Sequence, residues 1–157
     1  MVQIKTFEQL INFGAGRHFT DSNFQFSMHE NVLSIQKKLK SNKYDGVIVT
    51  HGTDTLEETA YFLDLTVKTE IPIVVIGAMK NSSEPEWDGP RNLIDALHIC
   101  LNENSKNLGV LVCLNGEINA ASEVTKIYSD SVESFKSLDF GTLGFVQKGR
   151  VIFNRLP

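Results

Sequence analysis

A three-layer α/β domain, built on a mostly parallel β-sheet and closed by a C-terminal β-hairpin, is the fold that this sequence predicts. Three observations predict it. Short β-branched runs recur at Val47-Ile48-Val49, Ile73-Val74-Val75-Ile76 and from Gly109 to Leu114; they are apolar without alternation, as strands covered on both faces are. Between them, apolar residues recur at three- and four-residue spacing, the period of a helix with one buried face. The tail places Leu143-Gly144-Phe145-Val146 and Arg150-Val151-Ile152-Phe153 on either side of Gln147-Lys148-Gly149, which reads as two strands joined by a glycine turn.

Each element has its own signal. Residues 29 to 40 predict a helix with Val32, Leu33, Ile35 and Leu39 inward. Asp45-Gly46 is a turn before the first strand. A second helix is expected from Asp54 to about Lys68, on the stripe Leu56, Ala60, Leu63 and Val67. Thr53 and Asp54 are candidate caps for it, and Glu57-Glu58 in its first turn suit the helix dipole. Pro72 opens the next strand, which stops at Gly77. Asp88-Gly89-Pro90 then starts a helix with Leu93, Ala96, Leu97 and Cys100 or Leu101 inward. Strand, helix, strand, helix, strand implies right-handed crossovers and a Rossmann-like layout. Asn12 to Gly16 reads as a glycine-rich loop that follows no clear buried strand.

Composition sets the class. The chain has 157 residues, 41% hydrophobic and 22% charged, which is ordinary for one globular domain spanning residues 1–157. Its net charge of −4 argues against a nucleic-acid partner, which would want a basic stripe. Lys37, Lys38 and Lys40 read as a solvated helix face. Cys100 and Cys113 stand in apolar surroundings and read as core residues. No apolar run approaches the roughly 18 residues of a membrane span, so no membrane partner is expected. The first residues carry no signal-peptide pattern, so a cytoplasmic location is the default expectation.

In a doubly wound sheet, ligands bind beyond the carboxyl ends of the parallel strands. The loop after Val49 reads Thr50-His51-Gly52-Thr53-Asp54-Thr55-Leu56-Glu57-Glu58-Thr59. Hydroxyls and a carboxylate lie there where a strand meets a helix N-terminus, whose free N–H groups attract negative charge. Gly52 allows a sharp turn and a close approach to a ligand. Such a loop can present a hydroxyl nucleophile or orient a water, with Asp54 holding an ammonium. Ordinary N-capping by Thr and Asp explains the same residues, and local physics leaves both readings open.

The run from His51 to Ala60 resembles the second signature of bacterial-type L-asparaginases and related glutaminase-asparaginases. Other stretches are similar to the same family: Asp21-Ser22, Gly77-Ala78-Met79-Lys80, Asp88-Gly89-Pro90 with Asn92-Leu93, Val124-Thr125-Lys126, Phe135-Lys136-Ser137, and Gly141-Thr142-Leu143-Gly144. The likeness runs from about Asp21 onward. It implies that Thr53 is a catalytic threonine and Lys126 its partner, with Asp54 binding the substrate α-amino group. It also implies that Ser22 holds the α-carboxylate with Asn23 close by, and that the Ala78 carbonyl lies near the side-chain amide. The implied reaction is hydrolysis of L-asparagine to L-aspartate and ammonia, with L-glutamine as a second candidate substrate. No metal or organic cofactor is implied, and the family assembles as homo-oligomers.

The departures from the family carry expectations too. Its opening strand with a Thr-Gly-Gly-Thr-Ile type loop is not found here, nor is its smaller C-terminal domain. The resemblance therefore implies a truncated form of low or no activity, with a gap or abutting edges in its sheet. Two further functions fit the same residues: a non-catalytic module that binds aspartate or asparagine, and the asparaginase-like subunit of a tRNA-dependent amidotransferase. The acidic charge weighs against the last.

Overall fold

Buried β-branched runs pair side by side because each has an apolar face to hide on both sides. The computed structural model describes residues 11–12, 32–37, 39 and 44–157. Its strands in chain order are β1 (Ile11–Asn12), β2 (Val47–Thr50), β3 (Ile73–Ile76), β4 (Val110–Leu114), β5 (Glu117–Ala120), β6 (Val124–Lys126), β7 (Phe135–Ser137), β8 (Gly144–Gln147) and β9 (Arg150–Phe153). The helices are α1 (helical at residues 32–37 and 39), α2 (Leu56–Thr66) and α3 (Gly89–Cys100). Seven strands form one sheet in the order β1-β2-β3-β4-β5-β8-β9, and β6 with β7 forms a separate pair. The first four strands run parallel; β5, β8 and β9 continue the sheet antiparallel.

Alternation along the strands sorts the core into two layers. Val49, Ile73, Val75, Val110 and Val112 face α1 and α2, where they meet Val32, Ile35, Leu56, Ala60 and Leu63. Ile48, Val74, Ile76, Leu111 and Cys113 face α3, against Ala96, Ile99 and Cys100. Helix, sheet and helix make the three layers of the expected α/β fold. The β8–β9 hairpin is present as expected, with Gln147 opposite Arg150. Lys148 (φ 50°) and Gly149 (φ 73°) form its turn, and positive φ at both central residues is what a tight turn between twisted strands requires.

Several expectations change. Leu33 is 52% exposed, while Val32 and Ile35 are buried; one stripe of α1 faces the sheet, and Leu33 lies off it. Helix α2 starts at Leu56, not Asp54, with Thr55 at the cap position and no side-chain capping bond. Thr53 and Asp54 therefore do not cap it. Asn12, expected in a loop, belongs to β1, which pairs with β2 through Ile11↔Val49 and Asn12↔Thr50. Two residues are too few to show a strand period in sequence. The expected gap is absent among the described strands, which follow one another in a continuous hydrogen-bonded order.

Strands β5, β6 and β7 have no counterpart in the sequence reading. The turn into β5 is Asn115-Gly116, with φ of 50° and 76° and Leu114 opposite Glu117. Asn-Gly is a strong hairpin signal, but the second arm carries Glu117 and Asn119, which mask its strand character.

Core burial predicts a contrast within α2. Leu63→Ala removes a side chain that is 1% exposed and should cost about 2–5 kcal/mol. Leu65→Ala, at a position 58% exposed, should stay within about 0.5 kcal/mol of wild type. Urea unfolding of the two variants checks this.

Candidate active site

Parallel pairing of β2 with β3 sets the site. Thr50 lies opposite Ile76, so the loops leaving both strands emerge together at the carboxyl edge of the sheet. The N–H of His51 donates to the Ile76 carbonyl at 2.8 Å, extending the ladder one step into the loop. Gly77 then passes so close that a Cβ there would lie 2.9 Å from the Thr53 methyl and 3.0 Å from the His51 carbonyl. Only glycine allows this approach, which pushes the Thr53 loop no further out than it stands.

Lys126, at the end of β6, reaches across to that loop. Its Nζ lies 3.2 Å from Thr53 Oγ1 and 3.2 Å from Asp54 Oδ1. The lysine side chain is 17% exposed and the Asp54 side chain 98%, so the contact sits at a surface opening, with the amine tucked below and the carboxylate in water. Thr53 is half-buried. One amine thus stands within hydrogen-bond distance of both a hydroxyl and an accessible carboxylate. That arrangement can activate a hydroxyl and hold an ammonium beside it.

The strand that carries Lys126 is held by α2. Glu57 in the first turn accepts the Lys126 backbone N–H on one carboxylate oxygen and the Thr125 hydroxyl, at 3.2 Å, on the other. The sequence assigned Glu57 only to the helix dipole. Its contacts lie 68 and 69 positions away and leave no local signal.

The loop after β3 is shaped by Asp88 and Asn92. The Asp88 carboxylate accepts the N–H groups of Met79 at 3.1 Å and Lys80 at 3.0 Å. Asn92, fully buried, donates to the Gly77 carbonyl at 2.9 Å and to Asp88 at 3.0 Å, and accepts the Asn115 N–H at 3.0 Å. Every polar atom of that amide is engaged, as burial demands. Ala78 lies half-buried between these anchors. An Asp followed four residues later by Asn on one helix face is the signal that marks the pair.

His51 braces the first loop from behind. Its Nδ1 is 2.6 Å from the Gly52 carbonyl and its Nε2 is 3.0 Å from Thr59 Oγ1. In the neutral tautomer with the proton on Nδ1, the ring donates to Gly52 and accepts from Thr59. Burial holds the His51 proton affinity below the ordinary imidazole range, and the Gly52 bond and nearby Glu58 only partly oppose it. Neither cysteine contributes: burial pushes the Cys100 thiol up to about 12 and raises Cys113 as well, which leaves both protonated and inert.

Of the residues singled out in sequence, Thr53, Asp54 and Lys126 are brought together, and Ala78 lies in the adjoining loop. Ser22 and Asn23 lie outside the described residues. Glu57, Thr125, Asp88, Asn92, His51 and Thr59 add a supporting frame. Among the described residues, no group of three or more His, Cys, Asp or Glu side chains is placed to hold a metal ion, and no helix is long and apolar enough to cross a membrane.

Comparison with known proteins gives this geometry a context. The family model described as "Asparaginase, N-terminal" matches residues 19–157. L-asparaginase 2 of Escherichia coli (strain K12) is 41% identical over 153 residues, covering 96% of this chain and 41% of its own. A probable periplasmic L-asparaginase of Haemophilus influenzae (strain ATCC 51907 / DSM 11121 / KW20 / Rd) is 47% identical over 113 residues, covering 72% of this chain and 32% of its own. The crystal structure of a probable cytoplasmic L-asparaginase from Campylobacter jejuni superposes with a TM-score of 0.78 at 41% identity, over 89% of this chain and 43% of that one. This chain therefore spans less than half the length of these relatives, whose names place them in both cytoplasm and periplasm.

The His51 brace predicts a pH dependence. Its folded proton affinity is lowered from the ordinary value of 6.5, so below that pH the unfolded chain takes up a proton that the folded chain resists. Stability from this group is present above pH 6.5 and is lost as pH falls through the folded value. Thermal unfolding between pH 7.5 and 5 should show a drop in midpoint that is smaller in His51→Gln, compared with its own value at about pH 7.5.

Proposed function

Because this chain belongs to the asparaginase family, matching its N-terminal domain, we propose that it carries the hydrolytic centre for the side-chain amide of L-asparagine, releasing L-aspartate and ammonia. The observation that carries the reading is the position of Lys126 Nζ, 3.2 Å from both Thr53 Oγ1 and Asp54 Oδ1. Thr53 supplies the hydroxyl. Lys126, within hydrogen-bond distance of that hydroxyl, takes its proton, so that the hydroxyl attacks the amide carbon or readies a water to do so. Where the hydroxyl attacks, an ester forms on Thr53 as the C–N bond breaks and the nitrogen takes a proton to leave as ammonia, and a water then cleaves the ester to release L-aspartate and restore the hydroxyl; where a water attacks, the same C–N cleavage gives L-aspartate directly. Asp54, exposed to water, holds the substrate α-ammonium.

The Ala78 carbonyl, Ser22 and Asn23 complete the substrate's surroundings in this proposal. Discrimination between L-asparagine and L-glutamine rests on the fit of one methylene, worth about 1–3 kcal/mol. A homo-oligomer of the hydrolase is part of the same reading.

Ammonia release from L-asparagine by the purified protein tests it. Low turnover is expected, and Thr53→Ala should lower kcat further, by on the order of 10³-fold or more, as loss of one member of a cooperating set does. Equal turnover in Thr53→Ala, or a folded wild type that releases no ammonia, would contradict it.

A further inference from the structure

We propose that Glu57 is a positioning residue, which sets where the Lys126 amine sits by gripping the backbone beneath it; this rests on the hydrolytic reading above and extends it. The need for such a grip comes from the topology. Among the described residues, strand β6 is not a member of the seven-stranded sheet and its ladder is to β7, with Lys126 opposite Phe135. Within that ladder Ile127 donates to the Ser134 carbonyl at 2.7 Å. Antiparallel pairs alternate between bonded and non-bonded positions, so the N–H of the preceding residue, Lys126, points away from β7 to the opposite edge of the strand. There it meets Glu57.

The grip has two points. One carboxylate oxygen takes the Lys126 N–H, and the other takes the Thr125 hydroxyl at 3.2 Å. Neighbouring residues of a strand direct their side chains to opposite faces, so holding one backbone group and one adjacent side chain fixes β6 in both translation and rotation. The same helix that carries Glu57 continues, through Thr55, into the Asp54 and Thr53 loop. Besides the direct contact of their side chains, Thr53 and Lys126 are therefore linked through one turn of α2 and one carboxylate. A shift of the Lys126 Cα shifts the set of positions that its amine can reach. Misplacement by about 1 Å can cost about 10²-fold in rate.

Glu57 sits in the first turn of α2, where the helix dipole favours a carboxylate. A purely structural role would show as lost stability alone. A positioning role shows in turnover and in the Lys126 backbone, while substrate capture by Asp54 persists.

The experiment uses the whole chain with Glu57→Gln and Glu57→Ala, and reads kcat, KM for L-asparagine and amide hydrogen exchange at Lys126. In Glu57→Ala, kcat should fall by about 10- to 100-fold with KM changed less than about twofold, while the Lys126 amide exchanges at least about tenfold faster. Glu57→Gln keeps an oxygen for the Lys126 N–H and should hold kcat within about threefold of wild type. Wild-type kcat and Lys126 exchange in Glu57→Ala would overturn the proposal, and so would a loss in Glu57→Gln equal to that in Glu57→Ala. If wild type gives no ammonia, the hydrolytic reading fails. The exchange rate, with the nuclear Overhauser contact between the Lys126 side chain and the Thr53 methyl, still decides whether Glu57 places the lysine.

Discussion

The contact of Lys126 with Thr53 and Asp54 is the interaction on which the rest of this arrangement depends. It joins two parts of the chain that the backbone does not join: the loop at the carboxyl end of β2 and the end of β6, outside the main sheet. Everything around it serves that meeting. Parallel register of β2 with β3 puts Thr53 beside Gly77, whose missing Cβ leaves room for the loop. Asp88 and Asn92 hold the second loop in place, and Glu57 holds β6.

The contact does little for stability, and its exposure says why. Asp54 lies in water, where an ion pair is screened and is worth about 0–1 kcal/mol. The fold rests on its two apolar layers, in which β3 and β4 are buried along their whole lengths. This division of labour lets the site keep a charged, open mouth over a closed core. The buried polar groups nearby are of a different kind: Asn92 is fully engaged and stiffens the loop, as buried amides must be to avoid a desolvation cost.

What could be read in the sequence follows from period and length. The strands Ile73–Ile76 and Val110–Leu114 and the stripe of α2 are long and apolar enough to declare themselves. So does the hairpin at Lys148-Gly149. Two- and three-residue strands such as β1, β6 and β7 carry no period, and β5 hides behind Glu117 and Asn119. At the site, Thr53 and Asp54 stood out because they sit at a strand end. Lys126 was singled out by family likeness, since a lone lysine carries no local signal. Glu57 was seen only as a dipole partner, because its true contact is with residues 68 and 69 positions away, a pairing that no local pattern reveals. The reading of Thr53 and Asp54 as caps gave way once α2 proved to begin at Leu56.

If Thr53 and Lys126 form a single working unit, their removal should not add. The measurement is a double-mutant cycle on kcat/KM with L-asparagine, comparing Thr53→Ala, Lys126→Ala and the pair. The double variant is expected to lose no more than about as much as the more impaired single one, the mark of groups that act together. Losses that multiply, each variant weakening turnover independently of the other, would contradict it.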